Sequence, residues 1–214
     1  MPLLLQQAAP CLGVWKIEES EEELLALLAH PEAYLPQLAR WQSAARRKEW
    51  LACRVLLKTL TGEELPVAYR ENGAPYLPGS SWHLSFSHTQ GYAAALLQPH
   101  PAAGIDIEYR SERVYKIRRR FLAPEEEFSG NAGENPHSRE ETDYLLIGWC
   151  AKETLFKMIG EEKVDFIRHL HLRPFTLASQ GYLYAYETRT PRSASFRLGY
   201  RVFSDFILTW SSDE

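Results

Sequence analysis

The chain changes its hydrophobic period several times, and each change marks an element. Residues 12–19, "LGVWKIEE", predict a first strand. Residues 20–36, "SEEELLALLAHPEAYLP", carry apolar positions at helical spacing, with Ser20 as N-cap and Glu23 three residues on, the pairing of a capping box. A long helix is predicted over residues 40–62, "RWQSAARRKEWLACRVLLKTLTG", with Leu51, Val55, Leu56 and Leu57 on its apolar face and its end near Gly62. "ENGAPYLPGS" is turn-rich, and "SWHLSFSH" followed by "GYAAALL" predicts a hairpin. "QPHPAAG" then punctuates the chain near its midpoint, so the halves are set at residues 1–101 and 102–214.

The second half opens on a strand, "GIDIE". "ERVYKIRRRFL" reads as helical, "APEEEF" as a further turn of helix and "SGNAGENPHS" as a loop. "ETDYLLIGWCAKETLFKMIG" predicts a long helix stopping at Gly160. "FIRHLHLRPFTLA", "YLYAYETR" and "SFRLGYRVFSDFILTWS" predict a strand meander. The fold class is α+β, each half pairing one long helix with a few mostly antiparallel strands. No internal repeat is strong enough to prove duplication.

Composition narrows the function classes. The 214 residues are 45% hydrophobic, enough for one large domain or two small ones with real cores. The net charge of -4 gives no reason to expect nucleic-acid binding. Charge is uneven, however. Residues 18–23 hold five glutamates, while residues 40–58, and again residues 110–120, hold six Lys/Arg against one acid. Such local basic patches fit specific anionic partners or solvated faces. Cys11, Cys53 and Cys150 lie far apart with no C-x-x-C, which fits a reducing compartment. "MPLLLQQAAP" lacks the basic segment of a signal peptide, and no apolar run approaches the ~20 residues of a membrane span. A soluble, cytoplasmic protein is expected.

Candidate chemistry concentrates in two places. In "GIDIEYR", Ile105 and Ile107 share one face of a strand and Asp106 and Glu108 the other, the carboxylates about 6.5–7 Å apart along the chain. Either the isoleucines face a core and the wet face happens to be acidic, or a cation sits between the carboxylates. On the helix near 140–160, Tyr144, Ile147, Ala151, Leu155 and Met158 make a core stripe. Trp149, Glu153 and Lys157 recur at four-residue spacing roughly opposite it. Glu153 and Lys157 fit a surface ion pair, but a tryptophan on that face suggests that it lines a cleft. Hard carboxylates with a lysine alongside suit Mg²⁺ and a phosphate or pyrophosphate ligand.

"GIDIE", "RRFLAPEE" and "WCAKETLFK", in this order, resemble the signature of the 4′-phosphopantetheinyl transferases, in their longer, surfactin-type branch. Gly104, Asp106 and Glu108 match its first motif, Arg120, Phe121 and Glu126 its second, and Trp149, Lys152, Glu153 and Lys157 its third. The second match is offset by one, Glu125 being the neighbouring candidate. Upstream, "FSH" at 86–88 and "WLACRVLLK" with Arg54 are also similar to the family. The likeness runs over about residues 46–166.

The resemblance implies a pseudo-two-fold α+β monomer that binds coenzyme A. It further implies transfer of 4′-phosphopantetheine to a serine of an acyl or peptidyl carrier protein, with release of 3′,5′-ADP. Asp106 and Glu108 are then metal ligands, and Glu153 is the third ligand or the group that activates the serine. Lys157 stabilises phosphate charge, with help from Lys152. His88 and Ser87 hold the 3′-phosphate, for which Arg46, Arg47 and Arg54 are further candidates. Two departures weaken the cationic surroundings expected of the family: Ala74 stands where it carries a lysine, and Glu161-Glu162 where it often has Gly-Lys-Gly. They leave room for a non-catalytic paralogue that binds coenzyme A or a carrier protein. The segment "RSERVYKIRRR" is the expected landing surface for an acidic carrier.

Overall fold

The computed structural model describes residues 2–127, 137–191 and 193–212. The chain forms two compact units, Met1–His100 and Pro101–Glu214. Both are of the α+β kind, with antiparallel sheets. No helix among the described residues is long and apolar enough to cross a membrane.

The first unit runs β1 (Leu3–Ala8), β2 (Cys11–Lys16), α1 (Glu21–Ala26), α2 (Leu35–Leu38), α3 (Ala44–Thr61), β3 (Ala68–Tyr69), β4 (Pro75–Tyr76), β5 (His83–Thr89) and β6 (Tyr92–Gln98). β1, β2, β6 and β5 form one sheet in that order, and β3 pairs only with β4. The predicted hairpin is β5–β6, joined in register from His83↔Gln98 to Thr89↔Tyr92. The capping box at Ser20 is present, with Ser20 Oγ accepting from Glu23 N and Glu23 Oε2 from Ser20 N. The helix it starts is shorter than the apolar spacing suggests: it ends at Ala26, Lys58 Nζ donates to the Leu27 carbonyl at 2.7 Å, and Pro31 opens a separate 3₁₀ turn. Ser43 caps α3, and its buried Leu51, Ala52, Cys53, Val55 and Leu56 pack with Leu24, Trp15, Ala93 and Ala95. β1 escapes a periodicity argument because its three consecutive leucines hide the alternation of a half-exposed edge strand.

The second unit runs β7 (Ile105–Tyr109), α4 (Arg113–Ile117), α5 (Arg139–Ile159), β8 (Leu170–Leu172), β9 (Gln180–Glu187), β10 (Ser195–Val202) and β11 (Phe206–Ser212). Its sheet has the order β7-β11-β10-β9-β8, antiparallel throughout. "APEEEF" gives only a 3₁₀ turn at Pro124–Glu126, and α4 ends early in another at Arg118–Arg120. Most of the predicted loop at 129–138 lies outside the described residues. Ser138 caps α5, and Gly160 ends it at φ 63, a left-handed conformation that costs glycine little.

β7 departs from the picture of one dry face and one wet face. Ile105 and Ile107 are buried, and so is Asp106, at 5% exposure. The carboxylate face is the one that meets α5, since Lys157 and Trp149 reach Asp106 and Glu108 from the helix. What lets the helix so close is Gly104. A methyl group there would lie 2.5 Å from the Thr154 carbonyl oxygen and 2.6 Å from Met158 Cγ. At the same crossing the Thr154 and Thr209 hydroxyls are 2.6 Å apart.

Gly104→Ala is therefore expected to destabilise the protein by about 1–3 kcal/mol through overpacking of backbone against backbone. Urea unfolding would read this as a lower midpoint at unchanged m-value, and an unchanged midpoint would show that α5 can give way.

Candidate functional site

α5 carries Trp149, Glu153 and Lys157 on one stripe, and β7 carries Asp106 and Glu108 beneath it. Lys157 Nζ donates to Asp106 Oδ1 at 2.7 Å and to the Ile105 carbonyl at 2.8 Å. Trp149 Nε1 donates to Glu108 Oε1 at 2.8 Å. The Trp149 ring is stacked on Phe166, with centroids 5.5 Å apart, and meets Phe121 edge-on at 5.2 Å. The oddly placed tryptophan is thus a half-buried wall whose polar edge orients a carboxylate.

The electrostatics follow from crowding acids in a partly dry place. Burial pushes the Glu153 carboxyl up to about 7, helped by repulsion from Asp106 and Glu108 and opposed by Lys157. Glu108 is raised by burial and by Asp106, while the Trp149 hydrogen bond and the Lys157 and Arg113 charges pull it back. All three carboxylates and Lys157 therefore feel one another. Asp106 and Glu108 suit a hard cation that takes few protein ligands and keeps water or phosphate oxygens as the rest. Among the described residues, however, no three His, Cys, Asp or Glu side chains are gathered closely enough to hold a metal ion between them. Glu153 is coupled to the strand carboxylates without closing a three-ligand cluster.

Lys152 departs from its expected role as an assisting phosphate contact. It is 0% exposed, and its Nζ donates to Glu126 Oε2 at 2.6 Å, to the Phe121 carbonyl at 2.6 Å and to the Phe166 carbonyl at 3.0 Å. With three acceptors around three protons, nothing remains for a ligand. Glu126 in turn accepts from Ala123 N at 2.9 Å and Leu172 N at 2.7 Å. Of the two acids in the second motif, Glu126 is buried and Glu125 exposed. The pair ties the 121–126 segment, α5 and β8 into one piece.

Of the cationic candidates of the first unit, Arg46, Arg54 and His88 line a cavity of about 920 Å³, together with Trp41, Trp50 and Tyr69 among others. Arg46, Trp50 and Arg54 repeat on α3 the spacing of Trp149, Glu153 and Lys157 on α5, the one signal by which the sequence announces this wall. The Arg54 guanidinium lies 3.5 Å from the Trp50 ring centroid and donates to the Tyr69 hydroxyl and, at 3.0 Å, to the Trp50 carbonyl. Arg46 lies over Trp41 at 5.1 Å. Arg47 is occupied elsewhere: it donates to Glu21 at 2.7 Å and to the Trp41 and Gln42 carbonyls at 2.9 and 3.2 Å. Ser87 is buried and, one residue from His88 on β5, faces the other side of its strand.

A family model for the 4′-phosphopantetheinyl transferase superfamily matches residues 102–210, and the chain belongs to that superfamily. The match begins two residues before Gly104 and covers β7, α5 and every carboxylate of the site. The chain is also similar to a 4′-phosphopantetheinyl transferase of Bacillus subtilis, at 31% identity over 93 residues, which are 43% of this chain and 40% of that relative. It thus spans less than half the length of the curated relative that it matches.

Two outcomes are expected from this geometry. Lys152→Ala leaves Glu126 buried without its counter-charge and should cost about 3–5 kcal/mol, whereas Lys152→Met combined with Glu126→Gln should cost clearly less. Equilibrium unfolding of the single and double variants would check this. The second concerns pH in the metal-free protein. Glu153 binds its proton more tightly folded than unfolded, so its contribution to stability is complete below the usual carboxyl range and is lost as pH rises through about 7. Glu153→Gln should flatten that decline and be the more stable of the two at pH 8. Parallel pH profiles for the two proteins would contradict the assignment.

Proposed function

We propose that the protein transfers 4′-phosphopantetheine from coenzyme A to a serine of an acyl or peptidyl carrier protein, releasing 3′,5′-ADP. The observation that carries this is the coupled set of Asp106, Glu108, Glu153 and Lys157 within the segment that matches the superfamily. Its chemistry suits a substrate that brings negative charge and a hydroxyl that must lose a proton.

Glu153, with a pKa near neutrality, is suited to general base catalysis at physiological pH. It takes the proton of the carrier serine hydroxyl as the serine oxygen bonds to the β-phosphorus of coenzyme A. The bond from that phosphorus to the bridging oxygen of the pyrophosphate breaks, and 3′,5′-ADP leaves with the bonding electron pair. Lys157 spends two of its three protons on Asp106 and the Ile105 carbonyl, and the third meets a phosphate oxygen. Trp149 holds Glu108 in orientation. Asp106 and Glu108 are the residues that would hold Mg²⁺, which when bound neutralises phosphate charge. The cavity of the first unit, with Arg46, Arg54 and His88, takes the 3′-phosphoadenosine end of coenzyme A. Arg119 and Arg120 are exposed and, with Arg113 and Lys116, offer a cationic landing surface to an acidic carrier.

The test is to incubate the protein with coenzyme A, Mg²⁺ and a panel of apo carrier proteins and to weigh the carriers. One phosphopantetheine per carrier is expected, with Asp106→Ala inactive though folded and Glu153→Gln slower on the order of 10²-fold or more. Carriers left unmodified while coenzyme A binds tightly would favour a non-catalytic binding protein instead.

A further inference from the structure

His88 lines the cavity of the first unit from β5, and its Nδ1 lies 3.1 Å from Glu49 Oε2 on α3. The two residues come from different elements, 39 positions apart in sequence (88 − 49). Glu49 is the less exposed of the two, with 19% of its side chain accessible against 47% for His88. Burial raises the Glu49 pKa and the Arg46 charge lowers it. A carboxylate in such a place is costly unless something donates to it. Glu49 lies outside every motif noted in the sequence, as the one acid among the six Lys/Arg of residues 40–58.

We infer that Glu49 is a positioning residue: it anchors the His88 ring through Nδ1 so that Nε2 is presented to a phosphate monoester in the cavity. This rests on the proposal that the cavity takes the 3′-phosphoadenosine end of coenzyme A. A carboxylate that accepts from Nδ1–H fixes which edge of the ring faces the cavity, and in the doubly protonated ring Nε2–H is then aimed to donate to the phosphate. Without the anchor, a half-exposed histidine samples several rotamers, and ligand binding must order it. Arg46 and Arg54 supply attraction to any anion. A directed histidine adds a preference for a phosphate group in one place, which distinguishes a nucleotide that carries a 3′-phosphate from one that does not.

Calorimetric titration with 3′,5′-ADP and with 5′-AMP tests this without any transfer reaction. Wild type is expected to prefer 3′,5′-ADP. Glu49→Ala should weaken 3′,5′-ADP by about tenfold while changing 5′-AMP less than about twofold. Glu49→Gln, which keeps an acceptor for Nδ1 but no charge, should retain most of the preference. In a His88→Ala background, Glu49→Ala should have no further effect, since its influence passes through the ring. A preference unchanged in Glu49→Ala, or lost equally in Glu49→Gln, overturns the positioning role while leaving the cavity's ligand intact. Wild type that does not distinguish the two nucleotides overturns the 3′-phosphate assignment and the role of Glu49 together. Melting curves of each variant separate these outcomes from loss of fold.

Discussion

Everything at the second unit's site depends on how closely α5 lies on β7. Gly104 leaves room where a methyl group would collide with the Thr154 carbonyl, and the Thr154–Thr209 hydroxyl contact fixes the crossing. Only at that separation do Trp149 Nε1 and Lys157 Nζ reach the strand carboxylates. The glycine of "GIDIE" therefore shapes the carboxylate cluster without belonging to it. A strand that buries both of its faces places acids where their charge is expensive, and the helix compensates with one indole N–H and one ammonium. The raised Glu153 carboxyl is what remains uncompensated.

The two units use one local device for different ends. On α5 the four-residue stripe Trp149, Glu153, Lys157 turns an aromatic, an acid and a base toward a strand. On α3 the stripe Arg46, Trp50, Arg54 turns two cations and an aromatic toward a cavity. In each case the aromatic limits how a charged group can move. Trp149 holds Glu108 through a hydrogen bond, and Trp50 holds Arg54 through its ring face. A charge held in this way needs little reorganisation to meet a fixed partner.

Much of this was legible in the sequence, and the failures have physical causes. Both long helices, the β5–β6 hairpin and the strand meander follow from period and punctuation, since these elements are amphipathic or bounded by glycine and proline. β1 was hidden because an edge strand needs no clean alternation. The helix after Ser20 was drawn too long because the apolar spacing continues past Ala26, where the helix itself ends. Pattern and resemblance single out Asp106, Glu108, Glu153 and Lys157, and the structure brings them together, because all four sit on regular elements where spacing fixes direction. Arg47 and Lys152 were misjudged because a basic residue on a helix looks the same in sequence whether it faces a ligand, Glu21 or Glu126. The Glu49–His88 contact leaves no sequence signal, because its two residues come from different elements.

Lys152 and Glu153 show why a motif of adjacent charges cannot be read as one function. A step of one residue turns a helix by about 100°. Lys152 therefore points into the core toward Glu126 and two carbonyls, and Glu153 points toward β7. The buried pair fixes the rotation of α5 about its own axis, because the ammonium satisfies all its protons in only one setting. That rotation in turn decides which residues face Asp106 and Glu108. The order of the two charges is thus not interchangeable: Glu-Lys in place of Lys-Glu would bury a carboxylate beside Glu126 and set an ammonium facing Asp106 and Glu108 in place of the raised Glu153 carboxyl. The lysine is a structural constraint on α5, and the glutamate beside it is coupled to the strand carboxylates.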